Sequence, residues 1–505
     1  MLSLKLKIED FLLLLILSLG IFLKLWKISD LPLISDEAIF GLTAFEMIET
    51  GTITLSMGEY RGPMGAYVLL PSIYLFGKNL IAVRTFILIL SVFSMILCYI
   101  YIKKLYNVWV ALASSFIFTI IPRNLVLSIS MMEFGLLLFF MLLVNYLFNK
   151  YNETKNLKFL LLASLFSGFG IITRLTFLFF LISFILTSRL ILNLQFKLNK
   201  INLCVCILSF LIGILPMLIY NLTNNFATIG YILKNFPKTS DGVNLLNIRE
   251  NLWKGTIRFY HYFSSDNFLV LMLFIFALFI FVIPILKEIN STISKKNLFI
   301  FSNFIILFVL LSLLTVSNFR PQDFILISPY YSIILGYFFY DIQRKLKKFK
   351  IYFYSFPIFF ICILSLIYLR SYLNLVTEIQ ENYRCNVGVQ LMSAILPSLK
   401  YSKIVTSIGH LQYIVMWYAN TSIDVNENRL LYLIRDKEPL GLIVTRLNKL
   451  MKSRDVIYIF SVNEVCGSTE PEKIFIDFLK SHNKTVSEEI EIYHNEEIMF
   501  KIYKV

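Results

Sequence analysis

About eleven apolar runs follow one another along the first ~370 residues, at 11–26, 80–102, 108–122, 134–149, 159–172, 175–190, 201–221, 266–286, 297–317, 322–341 and 351–371. Such runs fit hydrocarbon and little else. In a bilayer core every backbone N–H and C=O must find its partner within the protein, so the runs are expected to be helices rather than open strands. Composition agrees: 57% of the 505 residues are hydrophobic, 16% are charged and 48 are Phe, too apolar a balance for soluble domains. The fold class expected is a polytopic α-helical membrane protein with about eleven transmembrane helices. Some runs fall short of the ~20 residues of a full span, so their ends are loosely defined.

The first run, Phe11 to Trp26, follows Lys5 and Lys7 as the core of a secretory signal would. It ends in a lysine-containing flank without a small-residue cleavage pattern, and equally apolar segments follow, so it is read as the first span. The run 64–77 is short, contains Gly65 and Pro71, and is read as an interfacial or re-entrant helix. With it left out, Lys5 and Lys7, Lys103 and Lys104, Lys150, Lys155 and Lys158, Arg189, Lys197 and Lys200, Lys287, Lys295 and Lys296, and the cluster Arg344 to Lys350 all fall in alternate loops. The positive-inside rule makes these loops cytoplasmic. Residues 27–79, 123–133, 222–265 and everything after about 372 then face outward from a multi-pass protein of the cell membrane. Lys and Arg minus Asp and Glu come to about −1 in that tail, so the chain's +15 belongs to the membrane part. Such charge suits anchoring to anionic lipid, and nucleic acid is not an expected partner.

Two regions result: 1–371, a membrane domain with an outer loop at 27–79, and 372–505, a small extracytoplasmic α/β domain. In the second, β-type runs at Lys403 to Ile408, Gly441 to Val444 and Asp455 to Phe460 alternate with helical stretches near Leu411 to Ala419 and Glu472 to Lys480. Glu489 to Tyr493 and Ile498 to Tyr503, around His494-Asn495-Glu496-Glu497, read as a hairpin. No glycine-rich nucleotide loop is present. Cys98, Cys204, Cys206 and Cys362 lie in apolar runs as small hydrophobes. Cys385 and Cys466 lie in the tail, where an oxidising exterior would allow a disulfide. No Cys/His spacing marks a zinc site.

Chemistry points to the outer loops. Ser35-Asp36-Glu37 opens an amphipathic stretch that runs through Glu46 and Glu49 to Gly51. Taken alone, two acids in a first turn serve a helix dipole and an N-cap. The chain continues Glu59-Tyr60-Arg61-Gly62-Pro63-Met64-Gly65, then Phe76-Gly77-Lys78-Asn79 and Arg84. Further on come Pro122, Ser128-Ile129-Ser130-Met131-Met132-Glu133, and Asn318-Phe319-Arg320-Pro321 with Pro329-Tyr330.

This series resembles the GT-C glycosyltransferases, specifically the group of protein O-mannosyltransferases and lipid A aminoarabinose transferases (glycosyltransferase family 39-like). In that group a first-loop Asp-Glu opens a juxtamembrane helix ending in Gly, a Pro-containing segment opens a second, and Phe-Gly plus Arg leads into the second span. An acid also begins the fourth span, after a Pro at the end of the third. Arg61-Gly62-Pro63 stands where many relatives show Lys-Pro-Pro, and the last 130 or so residues carry no motif of the group.

The resemblance implies an inverting transferase that moves a sugar from a polyprenyl-phosphate donor to a protein, lipid or glycan acceptor on the outer side. The phosphate is already a good leaving group, so the site must supply a base for the acceptor hydroxyl and positive charge for the departing phosphate. Asp36 is the candidate base, with Glu37 orienting the acceptor or sharing the role and Glu133 positioning Asp36. Arg61, Arg84, Arg174 and Arg320 are candidates for the phosphate, since guanidinium grips phosphate oxygens through a bidentate fork; contact with lipid headgroups is their plainer use. A divalent cation, Mg or Mn, is left open, with Asp36 and Glu133 as its candidate ligands.

A transporter or flippase of lipid-linked glycans would use ionisable groups near the midplane, whereas these charges stand at helix ends. Trp417-Tyr418-Ala419-Asn420 is only a faint counterpart of the acceptor motif of oligosaccharyltransferases. A noncatalytic GT-C-like protein is the third alternative. Among sequons, Asn152-Glu153-Thr154 and Asn290-Ser291-Thr292 fall in expected inner loops, and Asn420-Thr421-Ser422 and Asn483-Lys484-Thr485 in the outer tail.

Overall fold

The computed structural model describes residues 7–26, 28, 31, 33–57, 62–130, 132–191, 200–230, 248–263, 267–287, 291–314, 321–348 and 355–382, and in the tail 403–406, 456–461, 476, 479–480, 488–494 and 497–504. Helix α1 (Ile8–Trp26) is followed by two helices of the first loop, α2 (Ser35–Thr50) and α3 (Met64–Phe76). Then come α4 (Leu80–Leu105), α5 (Val108–Ile120), α6 (Pro122–Ser130), α7 (Met132–Thr154), α8 (Leu157–Thr173), α9 (Phe177–Leu190), α10 (Lys200–Gly213) and α11 (Leu215–Thr223). The rest of the bundle is α12 (Ile248–Phe263), α13 (Phe268–Lys287), α14 (Thr292–Leu314), a 3₁₀ turn η1 (Pro321–Ile327), α15 (Ser328–Lys348) and α16 (Ser355–Asn382).

All eleven expected runs are helical where described, but fewer qualify as full spans. Among the described residues six helices are long and apolar enough to cross a membrane, and eight if two bent pairs each count as one span. The pairs are α5 with α6, bent by 64° at Pro122, and α10 with α11, bent by 69° near Pro216. Proline forces both breaks, because it lacks an N–H and its ring clashes with the preceding turn. Helices α8 and α9 are apolar but hold only 17 and 14 residues. Helix α3, at 13 residues, is too short to span, in keeping with its expected interfacial placement.

Charged contacts sort to the two ends of the bundle. At one end Lys104 pairs with Glu153 at 2.9 Å, Lys103 lies 3.7 Å from Glu9, and the Tyr106 hydroxyl donates to Asn297 at 2.9 Å. These contacts bring together the start of α1, the ends of α4 and α7 and the start of α14. The opposite end holds the starts of α2, α4 and α7, the end of α8, and the Tyr372 hydroxyl, which donates to the Leu23 carbonyl at 2.9 Å. Between the ends, helices are pinned by packing and by buried polar bridges. Asn303 of α14 accepts from Ser183 at 2.9 Å and donates to Thr187 at 2.7 Å, both on α9. In a bundle surrounded by lipid such bridges stabilise helix pairs, since the alternative is an unsatisfied polar group in hydrocarbon.

The tail carries a four-stranded sheet of order β1-β2-β4-β3, with β1 (Lys403–Thr406) parallel to β2 (Val456–Ser461). Strands β3 (Glu488–His494) and β4 (Glu497–Lys504) form the expected hairpin, with a bulge at Ile492/Tyr493. Lys501 bridges Glu489 and Glu491 across it at 2.9 and 3.0 Å. The expected run at Gly441 to Val444, the stretch Leu411 to Ala419, Cys385, Cys466 and the sequons at Asn290, Asn420 and Asn483 lie outside the described residues.

Candidate active site

Helix α2 starts where the sequence suggested, at Ser35-Asp36-Glu37. Ile34 is extended (φ −90°, ψ 148°), and its N–H donates to Glu37 Oε2 at 3.0 Å, satisfying one of the amides that a helix start leaves open. The helix stops at Gly51, whose φ of +67° is a left-handed geometry that glycine adopts without strain. The two adjacent acids have different surroundings. Glu37 is 1% exposed, whereas Asp36 is only partly buried.

The partner of Glu37 is Arg84, in the second turn of α4. Arg84 is fully buried, and it grips both carboxylate oxygens, Nε to Oε1 at 3.0 Å and Nη2 to Oε2 at 2.9 Å. Its Nη1 donates to the Leu31 carbonyl at 2.9 Å and also to that of Ile28. One guanidinium thus fixes the start of α2, the start of α4 and the α1–α2 connection. Burial pushes the Glu37 carboxyl above the usual carboxylate range, and the Arg84 charge and hydrogen bonds oppose that push. Arg84, expected at the donor phosphate, is enclosed by protein acceptors in this geometry. Glu37, expected to handle the acceptor, is enclosed with it.

A second cluster joins three elements. Arg174, the residue after the last turn of α8, donates from Nη1 to Glu133 Oε2 at 2.7 Å and from Nε to Asp323 Oδ1 at 2.9 Å. Glu133 opens α7 and Asp323 lies in η1. The guanidinium also sits over the Phe134 ring, 4.7 Å from its centroid. Burial works to lower the Arg174 pKa, but Asp323 and Glu133 outweigh it and hold the group above its ordinary value. Arg258 of α12 is influenced by the same Asp323 charge: burial lowers its pKa and the carboxylate resists.

Asp323 was absent from the residues singled out by sequence. Its only signal was an acid, three positions past Arg320, within an otherwise apolar run. Arg61 and Arg320 lie outside the described residues. Arg123, in a segment expected to face outward, donates to the His261 carbonyl at 3.3 Å, and the neighbouring Asn124 accepts from Tyr262 at 3.0 Å, which ties α6 to α12.

The first loop reaches the second cluster through Gly62. A Cβ placed there would stand 1.7 Å from the carbonyl oxygen of Ile172, two residues before Arg174. Backbone against backbone leaves no side chain to swing aside, so Gly62→Ala is expected to lift the loop off α8. The readout is a Tm several degrees below wild type together with faster proteolysis between α2 and α3. Wild-type values for both would mean the loop has room to shift.

Among the described residues no three His, Cys, Asp or Glu side chains come together as a metal site. Glu133 and Asp323 share Arg174 as an ion-pair partner. No chemical step is routed through a divalent cation at Asp36 and Glu133.

Comparison with known proteins places this arrangement. Residues 60–220 match the dolichyl-phosphate-mannose-protein mannosyltransferase family. The fold is similar to that of ArnT from Cupriavidus metallidurans bound to undecaprenyl phosphate, with a TM-score of 0.62 and 11% identity over 97% of each chain. It is also similar to the Archaeoglobus fulgidus oligosaccharyltransferase, with a TM-score of 0.56 and 12% identity over 91% of this chain and 70% of that one. For the archaeal enzyme AglB in complex with an inhibitory peptide and a dolichol-phosphate the TM-score is 0.52 and the identity 11%, over 89% of this chain and 69% of that one. No curated protein sequence matches the chain. The helical bundle with its two-helix first loop therefore shares the fold of ArnT, and residues 60–220 within it are similar to the mannosyltransferase family.

Proposed function

We propose that the protein is an inverting membrane glycosyltransferase that moves a sugar from a polyprenyl phosphate to an acceptor hydroxyl at the outer face of the cell membrane. The observation that carries this reading is the end-to-end likeness to a protein whose structure holds undecaprenyl phosphate, combined with a partly buried acid, Asp36, beside a locked Glu37–Arg84 pair. Asp36 takes the proton of the attacking hydroxyl. The acceptor oxygen forms its bond to the anomeric carbon as the bond to the phosphate oxygen breaks, so the configuration inverts and the electron pair leaves with the phosphate. Glu37 and Arg84 hold Asp36 in place. Arg174, Glu133 and Asp323 fix the ends of α7 and α8 around the reacting groups, and Arg61 and Arg320 remain the proposed phosphate contacts. The acceptor is a protein, lipid or glycan; the acceptor peptide tethered in a structure of the Archaeoglobus fulgidus oligosaccharyltransferase supports a protein among these.

The test is transfer itself. Purified protein in liposomes is given radiolabelled polyprenyl-phosphate sugars and membrane acceptors, while glycoconjugates from a deletion strain are weighed for the loss of one sugar. An unchanged lipid-linked precursor accumulating on the inner face would support transport instead.

Sidedness has its own measurement. A single cysteine at 152, at the Lys104–Glu153 end, should resist an impermeant thiol reagent in intact cells, and one at the exposed Ile53 should react. The reverse pattern would put the proposed site on the wrong side of the membrane.

A further inference from the structure

Lys24 stands in the flank of the first apolar run, where a lysine ordinarily reaches water. The fold buries it instead, to 4% exposure, against a cavity of about 10 Å³ between α1, α4, α5, α6 and α7. Among the described residues its ammonium has no ion-pair or hydrogen-bond partner. The polar wall is made by Ser91, Ser94, Thr119, Asn124 and Ser128. Each of the four hydroxyls donates to a backbone carbonyl of its own helix region: Ser91 to Leu88, Ser94 to Leu90, Thr119 to Ser115 and Ser128 to Leu125. Their protons are spent, so they turn lone pairs toward the cavity. Such a lining favours a cation and one bridging water, for which the volume suffices, and disfavours an anion.

The cavity's lining comes from helices that also carry members of the two clusters. Lys24 is one turn before the 28–31 connection clamped by Arg84, Ser91 is two turns along α4 from Arg84, and Gly135, in the same wall, is two residues from Glu133. An incoming phosphate brings negative charge to that end of the bundle. A buried unpaired cation disfavours folding and is retained in membrane bundles where function uses it.

We propose that Lys24 is a positioning residue for the donor: an amine held beneath the site among hydroxyl oxygens and a bridging water, which takes up its proton as the polyprenyl phosphate arrives and stabilises the phosphate as it departs. This rests on the proposed transferase reading.

The experiment compares the full-length protein in nanodiscs with Lys24→Met and Lys24→Gln, measuring Tm, binding of undecaprenyl phosphate and of uncharged undecaprenol, and kcat and KM for donor. Removing the charge should leave Tm equal or higher, weaken phosphate-lipid binding about tenfold, and leave undecaprenol binding unchanged. A merely structural lysine gives the opposite pattern, a lower Tm with phosphate-lipid binding as in wild type, and overturns the proposal. So does an equal loss of affinity for both lipids. Failure of the wild-type protein to bind undecaprenyl phosphate overturns the transferase reading itself, whereas variants that match a binding-competent wild type overturn only the role of Lys24.

Discussion

Asp36→Asn should leave the protein folded and inserted while lowering sugar transfer by about 10²–10⁴-fold, the range a positioned general base contributes. The expectation rests on the contrast between two neighbouring carboxylates. Glu37 is closed off by Arg84 and the Ile34 amide, so its oxygens have no room for a substrate proton. Asp36, one residue earlier on α2, is only partly buried. Asparagine keeps its shape but cannot accept a proton at neutral pH. Donor KM should change little, because the base acts on the acceptor and chiefly in the transition state. Measurement requires the variant's Tm and its binding of undecaprenyl phosphate beside its turnover. Wild-type turnover in a correctly folded variant would remove Asp36 from the chemistry and direct attention to Glu133.

Much of this architecture was legible in the sequence because its signals are local. A run of apolar residues specifies a helix wherever it lies, Pro122 and Gly51 mark a break and a stop through their own backbone limits, and Asp36-Glu37 sits where a helix start favours acids. The hairpin of β3 and β4 was equally visible from alternation across a short polar turn. What stayed hidden depends on partners distant in the chain. Arg84 has the sequence context of a phosphate ligand, a lone cation near the outer end of a span, and only the fold reveals a carboxylate 47 residues away closing around it. Arg174 is paired to Asp323 across 149 residues, and Asp323 itself lay unnoticed in an apolar run. Lys24 is the same problem inverted: a flank by hydropathy, it becomes interior because α5, α6 and α7 pack over the end of α1. Hydropathy likewise gives no sign that residues 123–130, expected in an outer loop, continue as helix after a 64° bend, or that the run 201–221 bends by 69°.

Arg84→Ala should be among the most damaging single substitutions in the protein, because it opens a fully buried ion pair. Removing one partner of such a pair costs about 3–5 kcal/mol, chiefly from the charge left behind without solvent or counter-ion. Here the carbonyls of Leu31 and Ile28 also lose their donor, so the α1–α2 connection loosens with the start of α2. Against a folding stability of roughly 5–15 kcal/mol for an ordinary domain, a loss of that size should lower the Tm sharply and yield aggregated protein on size exclusion. Glu37→Ala should behave alike, leaving the guanidinium unpaired. Replacing both, Glu37→Leu with Arg84→Met, should recover most of the lost Tm, since the double variant buries no charge. Transfer should not recover with it, because Asp36 would then start a helix no longer tied to α4. The alternative is equally readable. A phosphate ligand at position 84 would give an Arg84→Ala protein of wild-type Tm and elution with donor KM raised tenfold or more, and that result would return Arg84 to the donor phosphate and leave Glu37 to be held by the Ile34 amide alone.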